Sequence, residues 1–146
     1  MNVKSARRNQ SALAIVIRYL DFDTLVLINK QVVSLTEERH EYEEEDERRM
    51  KTLLRSVKEL DAGKGGNQVV ISKAAYLIFR IASGQNFHEG NKRTALVAGL
   101  AFLKMNGYTL DIKDAGLVSV VDKAGVASAT LKEVKAVLLK LVKHVD

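Results

Sequence analysis

The chain of 146 residues has no cysteine, no proline and no apolar run long enough to cross a bilayer. The lack of cysteine excludes disulfides, thiolate nucleophiles and cysteine–zinc sites. A spanning helix needs roughly 18 consecutive apolar residues, and no stretch reaches that. The absence of proline is consistent with long helices and few rigid turns. The composition that remains, 47% hydrophobic and 28% charged, is ordinary for a soluble globular protein. The length suits a single domain, 1–146, that buries a real core. The opening "MNVKSARRNQSALAIVIRYLDFD" is basic and then apolar, as in a signal peptide. Its apolar part, Ala12 to Ile17, is short and runs into Arg18, Asp21 and Asp23 instead of a small-residue cleavage site. It therefore reads as the first element of a mature cytoplasmic protein, with no membrane partner expected.

The net charge of +5 is unevenly placed. Residues 37–47 hold eight carboxylates and one arginine, a local −7, so the rest of the chain carries +12. Such an acidic block reads first as a solvated helix face and second as a docking surface for a basic partner. Within it, Glu37, His40 and Glu41 have a helical spacing that can hold a metal, but in so charged a run a solvated face is the simpler reading. The basic excess attracts nucleotide or nucleic acid without specifying either. No aromatic stacking pattern accompanies it, so nucleic acid is not the expected partner.

Apolar periodicity predicts an all-α bundle. Leu25, Ile28, Val32 and Leu35 make one stripe within residues 24–40. Met50, Leu53, Leu54, Val57 and Leu60 make a second, with Gly63 as its stop. "GKGGNQVV" then predicts a loop or small β-hairpin containing the β-favouring run Val69 to Ile71. It lacks the spacing and the Lys-Ser/Thr ending of a Walker loop. Ser72 is the expected cap of a third helix that Gly84 ends. A fourth, about Lys92 to Asn106, is apolar nearly all round and is expected at the buried centre. Asp111 is the expected cap of a fifth, and Thr130 with Glu133 forms a capping box for the last.

Between the third and fourth helices lies "QNFHEGNKRTA", a polar island between apolar segments. The first turn of a helix leaves backbone N–H groups unpaired at the positive end of its dipole, which favours anions. Gly90 permits a sharp turn and close approach of a ligand. Asn91 can cap the helix, and Lys92 and Arg93 add charge, Arg93 with a guanidinium fork suited to phosphate. Glu89 would repel a bare phosphate but suits a Mg²⁺ ion bridging carboxylate and phosphates. Phe87 would anchor the loop in the core. The simpler alternative is that Asn91 only caps a buried helix and the charges merely decorate the surface.

These residues also resemble a family motif. "F-H-E-G-N-K-R-T-A" is similar to the Fic/Doc core, usually written H-x-F-x-[D/E]-G-N-[G/K]-R, and its Lys-Arg-Thr-Ala continuation resembles the Doc (death-on-curing) branch. "AAYLIFRIAS" and "FLKMNGYTL" resemble the flanking helices and "LINKQVVSLTEERH" the N-terminal helix of Doc-type proteins, so the likeness covers about residues 22–142. It implies a compact helical fold with a central buried helix, and Mg²⁺-dependent transfer from ATP or another NTP to a protein hydroxyl. The transferred group is AMP in most Fic proteins and phosphate in Doc-type toxins, whose acceptor is a translation elongation factor. Carried over by position, the resemblance gives Glu89 to Mg²⁺ and Gly90, Asn91, Lys92 and Arg93 to the nucleotide phosphates. Phe87 becomes structural, and Gly65, Gly66 and Asn67 fall in a target-docking flap. Restraint would come from a separate antitoxin-like chain. Ser34 to Arg39 carries Glu38 but then Arg39 where the family's inhibitory motif has Gly or Asn, so it is not read as an internal restraint.

One position departs. Gln85 stands where the motif has the histidine that takes a proton from the acceptor hydroxyl. Imidazole suits that role with an ordinary pKa of about 6.5, whereas a carboxamide accepts no proton near neutrality. Loss of a general base costs about 10²–10⁴-fold in rate. The expectation is therefore a nucleotide-binding pocket impaired or inactive in transfer. The alternatives are a transferase using His88 as its base, and a non-catalytic basic module that binds nucleic acid or protein.

Overall fold

Asp21 opens the first helix by accepting the Thr24 N–H at 2.8 Å. The computed structural model describes residues 16–34, 42–61, 66–84 and 86–145. Among them are six helices: α1 Phe22–Ser34, α2 Glu44–Glu59, α3 Asn67–Gly84, α4 Asn91–Met105, α5 Ala115–Gly125 and α6 Leu131–Leu141. Two short strands, β1 Tyr108–Thr109 and β2 Lys143–His144, pair antiparallel, Tyr108 opposite His144. The all-α expectation holds. The pocket-bearing end is built by α1, α2 and the start of α4.

The centre falls on α3. It packs against α2, α4, α5 and α6. Its buried positions run almost continuously from Val69 to Ala82. The expected central helix, α4, buries one side of itself, including Thr94, Ala98 and Phe102. Contact between α3 and α4 is close: a Cβ on Gly99 would lie 2.5 Å from Ile78. The burial of α3 also explains two further differences from the sequence reading. The run Val69–Ile71 is helical, and Ser72 lies buried inside the helix instead of capping it. β-branched residues accept a helix when all of them face the core, because tertiary burial outweighs a weak local preference. Of the proposed flap, Gly66 precedes α3 at φ +104° and Asn67 is its first residue. Gly65 and the predicted stop Gly63 lie outside the described residues.

The end of α2 comes earlier than expected, at Glu59. Its last carbonyls, left without helical partners, are met by Lys73 from α3. The Lys73 ammonium is 1% exposed and donates to the carbonyls of Val57, Lys58 and Leu60 at 2.6, 3.0 and 2.7 Å. A buried cation is tolerable there because all three protons are bonded at the negative end of the helix dipole.

Later elements follow local chemistry. Asp114, not Asp111, caps α5 by accepting the Leu117 N–H at 3.0 Å, while Asp111 accepts the Lys113 N–H at 2.9 Å and shapes the preceding turn. The Thr130–Glu133 capping box is present at α6. Gly107, at φ +85°, follows α4 and lets the chain turn into β1. Residues 35–41, with Glu37, His40 and Glu41, lie outside the described residues. No described helix is long and apolar enough to cross a membrane.

Candidate functional site

Residues 86–90 connect α3 to α4, and their shape is fixed by a closed pair of hydrogen bonds. The Phe87 N–H donates to Asn91 Oδ1 at 3.0 Å, and Asn91 Nδ2 donates back to the Phe87 carbonyl at 2.9 Å. The Phe87 ring is 2% exposed and anchors this loop in the core. Asn91 is therefore the first helical residue and a brace, while Gly90 occupies the capping position at φ +79°. An L side chain at Gly90 would adopt a disfavoured backbone conformation. Its Cβ would also meet Val33 Cγ1 at 2.8 Å.

A second brace comes from α1. Asn29, fully buried, donates from Nδ2 to the Glu89 carbonyl and to Thr94 Oγ1, each at 3.0 Å. One side chain thus ties α1 to both the loop and the first turn of α4. The sequence did carry a signal for it, a polar residue one turn after Leu25 in an otherwise apolar stripe.

The loop and helix start face an open cleft of about 630 Å³. One side is basic and polar, formed by His88, Gly90, Asn91, Lys92 and Arg93. The other comes from the start of α2 and contributes Tyr42, Glu43 and Asp46. The Tyr42 ring meets Phe22 and Phe87 edge to face at 5.7 and 6.1 Å, so it is packed onto the loop anchor. Asp46 accepts the Glu43 N–H at 2.9 Å and bonds Arg49, which hold its carboxyl below the usual value of 3.8 and keep it ionised. Gly125 of α5 closes the remaining side. Lys92 lies along that glycine: a Cβ there would stand 2.6 Å from Lys92 Cε and 3.3 Å from Cγ. The ammonium ends 3.9 Å from Asp122, a solvent-facing pair worth little on its own.

Of the residues singled out in sequence, Phe87, His88, Gly90, Asn91, Lys92 and Arg93 come together here. Glu89 is half-buried beside them, but it is not among the residues lining the cleft. Gln85 lies outside the described residues, as do Gly65 and the acidic stretch up to Glu41. Gly66 and Asn67 line a different hollow, with Arg18, Lys104 and His144. Tyr42, Glu43, Asp46 and Gly125 were not foreseen, since nothing local in the chain relates them to the loop.

The first turn of α4 has N–H groups without intrahelical partners at the positive end of its dipole, beside the Lys92 ammonium and the Arg93 guanidinium, which suits the phosphates of a nucleotide. No group of three histidine or acidic side chains that could hold a metal ion occurs among the described residues. A Mg²⁺ ion would fit here as a companion of phosphate oxygens, held by a carboxylate and water.

No curated protein and no solved structure matches this chain. A family model described as Fic/DOC family matches residues 19–103, the span from just before α1 to near the end of α4. That span is more than half of the chain and contains α1, α2, α3 and the loop with its braces, so the chain belongs to the Fic/DOC family.

Proposed function

We propose that the chain is a Doc-branch member whose cleft binds ATP or another NTP with Mg²⁺, and that Gln85 leaves it impaired in transfer. The observation that carries this reading is the cationic start of α4, held open on a 630 Å³ cleft by the Phe87–Asn91 brace. Backbone N–H groups at Gly90 and Asn91, with Lys92 and Arg93, would take the phosphates. Glu89 would meet the Mg²⁺ that neutralises them. In the active relatives this resemblance implies, a histidine at position 85 removes the acceptor's proton as its oxygen bonds to phosphorus, and pyrophosphate departs if AMP is transferred or ADP if phosphate is. Gln85 can hydrogen-bond that hydroxyl but cannot take its proton. The acceptor would be a protein hydroxyl, by analogy that of a translation factor, with an antitoxin-like partner as the restraint.

The test compares the natural chain with Gln85→His, each given Mg²⁺, candidate acceptor proteins and ATP labelled at the α- or γ-phosphate. Label transfer is expected only with the His variant, and the position of the label identifies AMP or phosphate. Titration calorimetry should show MgATP binding to both chains, weakened by Arg93→Ala. Glu89→Gln should remove the Mg²⁺ dependence of that binding. Absence of nucleotide binding in both chains would sink the reading, and salt-sensitive RNA binding would then favour a basic interaction module. A second reading rests on His88, which lines the cleft. Transfer by the natural chain that disappears in His88→Ala would make His88 the base.

A further inference from the structure

Behind the loop, between α2 and α3, lies a second and smaller hollow of about 260 Å³. Three arginines line it among the described residues, Arg48 and Arg49 from α2 and Arg80 from α3, together with Thr52 and Asn86. No carboxylate among the described residues lines it. Helical spacing places Thr52 on the same side of α2 as the two arginines, three and four residues on. The floor includes Leu53, 4% exposed, and Asn86, 5% exposed. The Asn86 amide donates to the Arg80 carbonyl at the long distance of 3.5 Å.

Arg80 is steadied by the Tyr76 ring, its guanidinium 5.7 Å from the centroid, and touches the Tyr76 hydroxyl at 3.5 Å. Arg49 is steadied by Asp46. Arg48 and Arg80 carry like charges on one hollow, and an anion seated between them offsets their repulsion. Guanidinium forks donate in pairs to the oxygens of a phosphate, and the Thr52 hydroxyl adds a further donor. We infer that this hollow is a second anion site, distinct from the start of α4, that takes a phosphate group.

Its position gives the site a consequence. Asn86 lines this hollow and Phe87 lines the larger cleft, so the two clefts are back to back across the loop. The Asp46–Arg49 pair spans the same divide, with Asp46 in the larger cleft and Arg49 in the smaller. A phosphate seated on Arg49 competes with Asp46 for its guanidinium and so changes the charge facing the larger cleft.

The experiment follows backbone amide signals by NMR as inorganic phosphate is added at constant ionic strength, with chloride as control. It is carried out on the Arg93→Ala chain to weaken binding at the start of α4. Saturable movement of the Thr52 and Asn86 signals is expected, weakened about tenfold or more in Arg48→Gln/Arg80→Gln, because each lost partner is a charge-assisted donor. If that double variant does not fold, Arg48→Lys/Arg80→Lys keeps the charge, loses the fork, and should still weaken binding. A phosphoserine peptide forms the second arm. Tighter binding than phosphate assigns the ligand to a phosphorylated protein, and equal binding assigns it to the free anion. Movement confined to the first turn of α4, equal movement with chloride, or affinity unchanged in the arginine variants overturns the inference.

Discussion

Gly90 carries two separable demands, and they can be measured apart. Its φ of +79° costs an L residue about 1–2 kcal/mol. The 2.8 Å approach of a new Cβ to Val33 Cγ1 adds a steric cost. Gly90→Ala should therefore lower unfolding free energy by about 2 kcal/mol or more in urea denaturation. Adding Val33→Ala to that variant should relieve the clash and leave the backbone cost. Strict additivity of the two changes would show that no clash exists. Asn91 illustrates how far a single residue can be read from sequence. Its place at the helix start was legible, because Asn beside Gly ahead of an apolar run is a local signal. Its return bond to Phe87 was not, because a cap and a brace use the same side chain and only the loop path decides between them.

At the level of elements, α3 is where sequence reading and structure part. The last helix was legible from Thr130 and Glu133 because a capping box is complete within four residues. The start of α3 was missed because Val69–Ile71 is helical only by virtue of what it packs against. The same helix supplies Lys73, whose ammonium closes the end of α2. Lys73→Met, similar in bulk but without donors, should destabilise the fold by about 3 kcal/mol by leaving buried carbonyls unpaired. Loss of amide protection in the last turn of α2 would mark the cause, and unchanged stability would refute the capping role. Gly125 makes the corresponding point for α5. Gly125→Ala should leave folding stability nearly unchanged, since the long Lys92 side chain can move aside. It should weaken MgATP binding severalfold, and a Lys92→Ala background should abolish that effect.

At the level of the whole molecule, the cleft is assembled from segments far apart in the chain, which is why half of it escaped the sequence. Tyr42, Asp46 and Gly125 reach the start of α4 only through the packing of α2 and α5 around α3. The pH dependence of stability is likewise a sum over distant sites. The Thr24 hydroxyl and N–H hold Asp21 below its usual carboxyl value of 3.8, as the Glu43 N–H does for Asp46. A carboxyl lowered in the fold favours folding at neutral pH, and that contribution fades as pH drops below about 3.8 toward the folded values. Burial raises the Tyr108 phenol above 10.0. The unfolded chain then ionises first, so this contribution is present below pH 10 and is lost as pH rises past it. Urea midpoints across pH 2–11 should fall at both ends, with Asp21→Asn and Asp46→Asn flattening the acid limb and Tyr108→Phe the alkaline one. Limbs unchanged by these variants would place the titrating groups elsewhere.

The brace between Phe87 and Asn91 has a further consequence for how this loop exchanges with solvent. An N–H in a connecting loop ordinarily trades its hydrogen for deuterium within the time of local fraying. The Phe87 N–H is bonded to a side chain rooted in the first turn of α4, so it is released only when that turn opens. Its deuterium uptake should run with that of the α4 amides and not with the loop. The proposed nucleotide seat and its helix would then share a single opening rate.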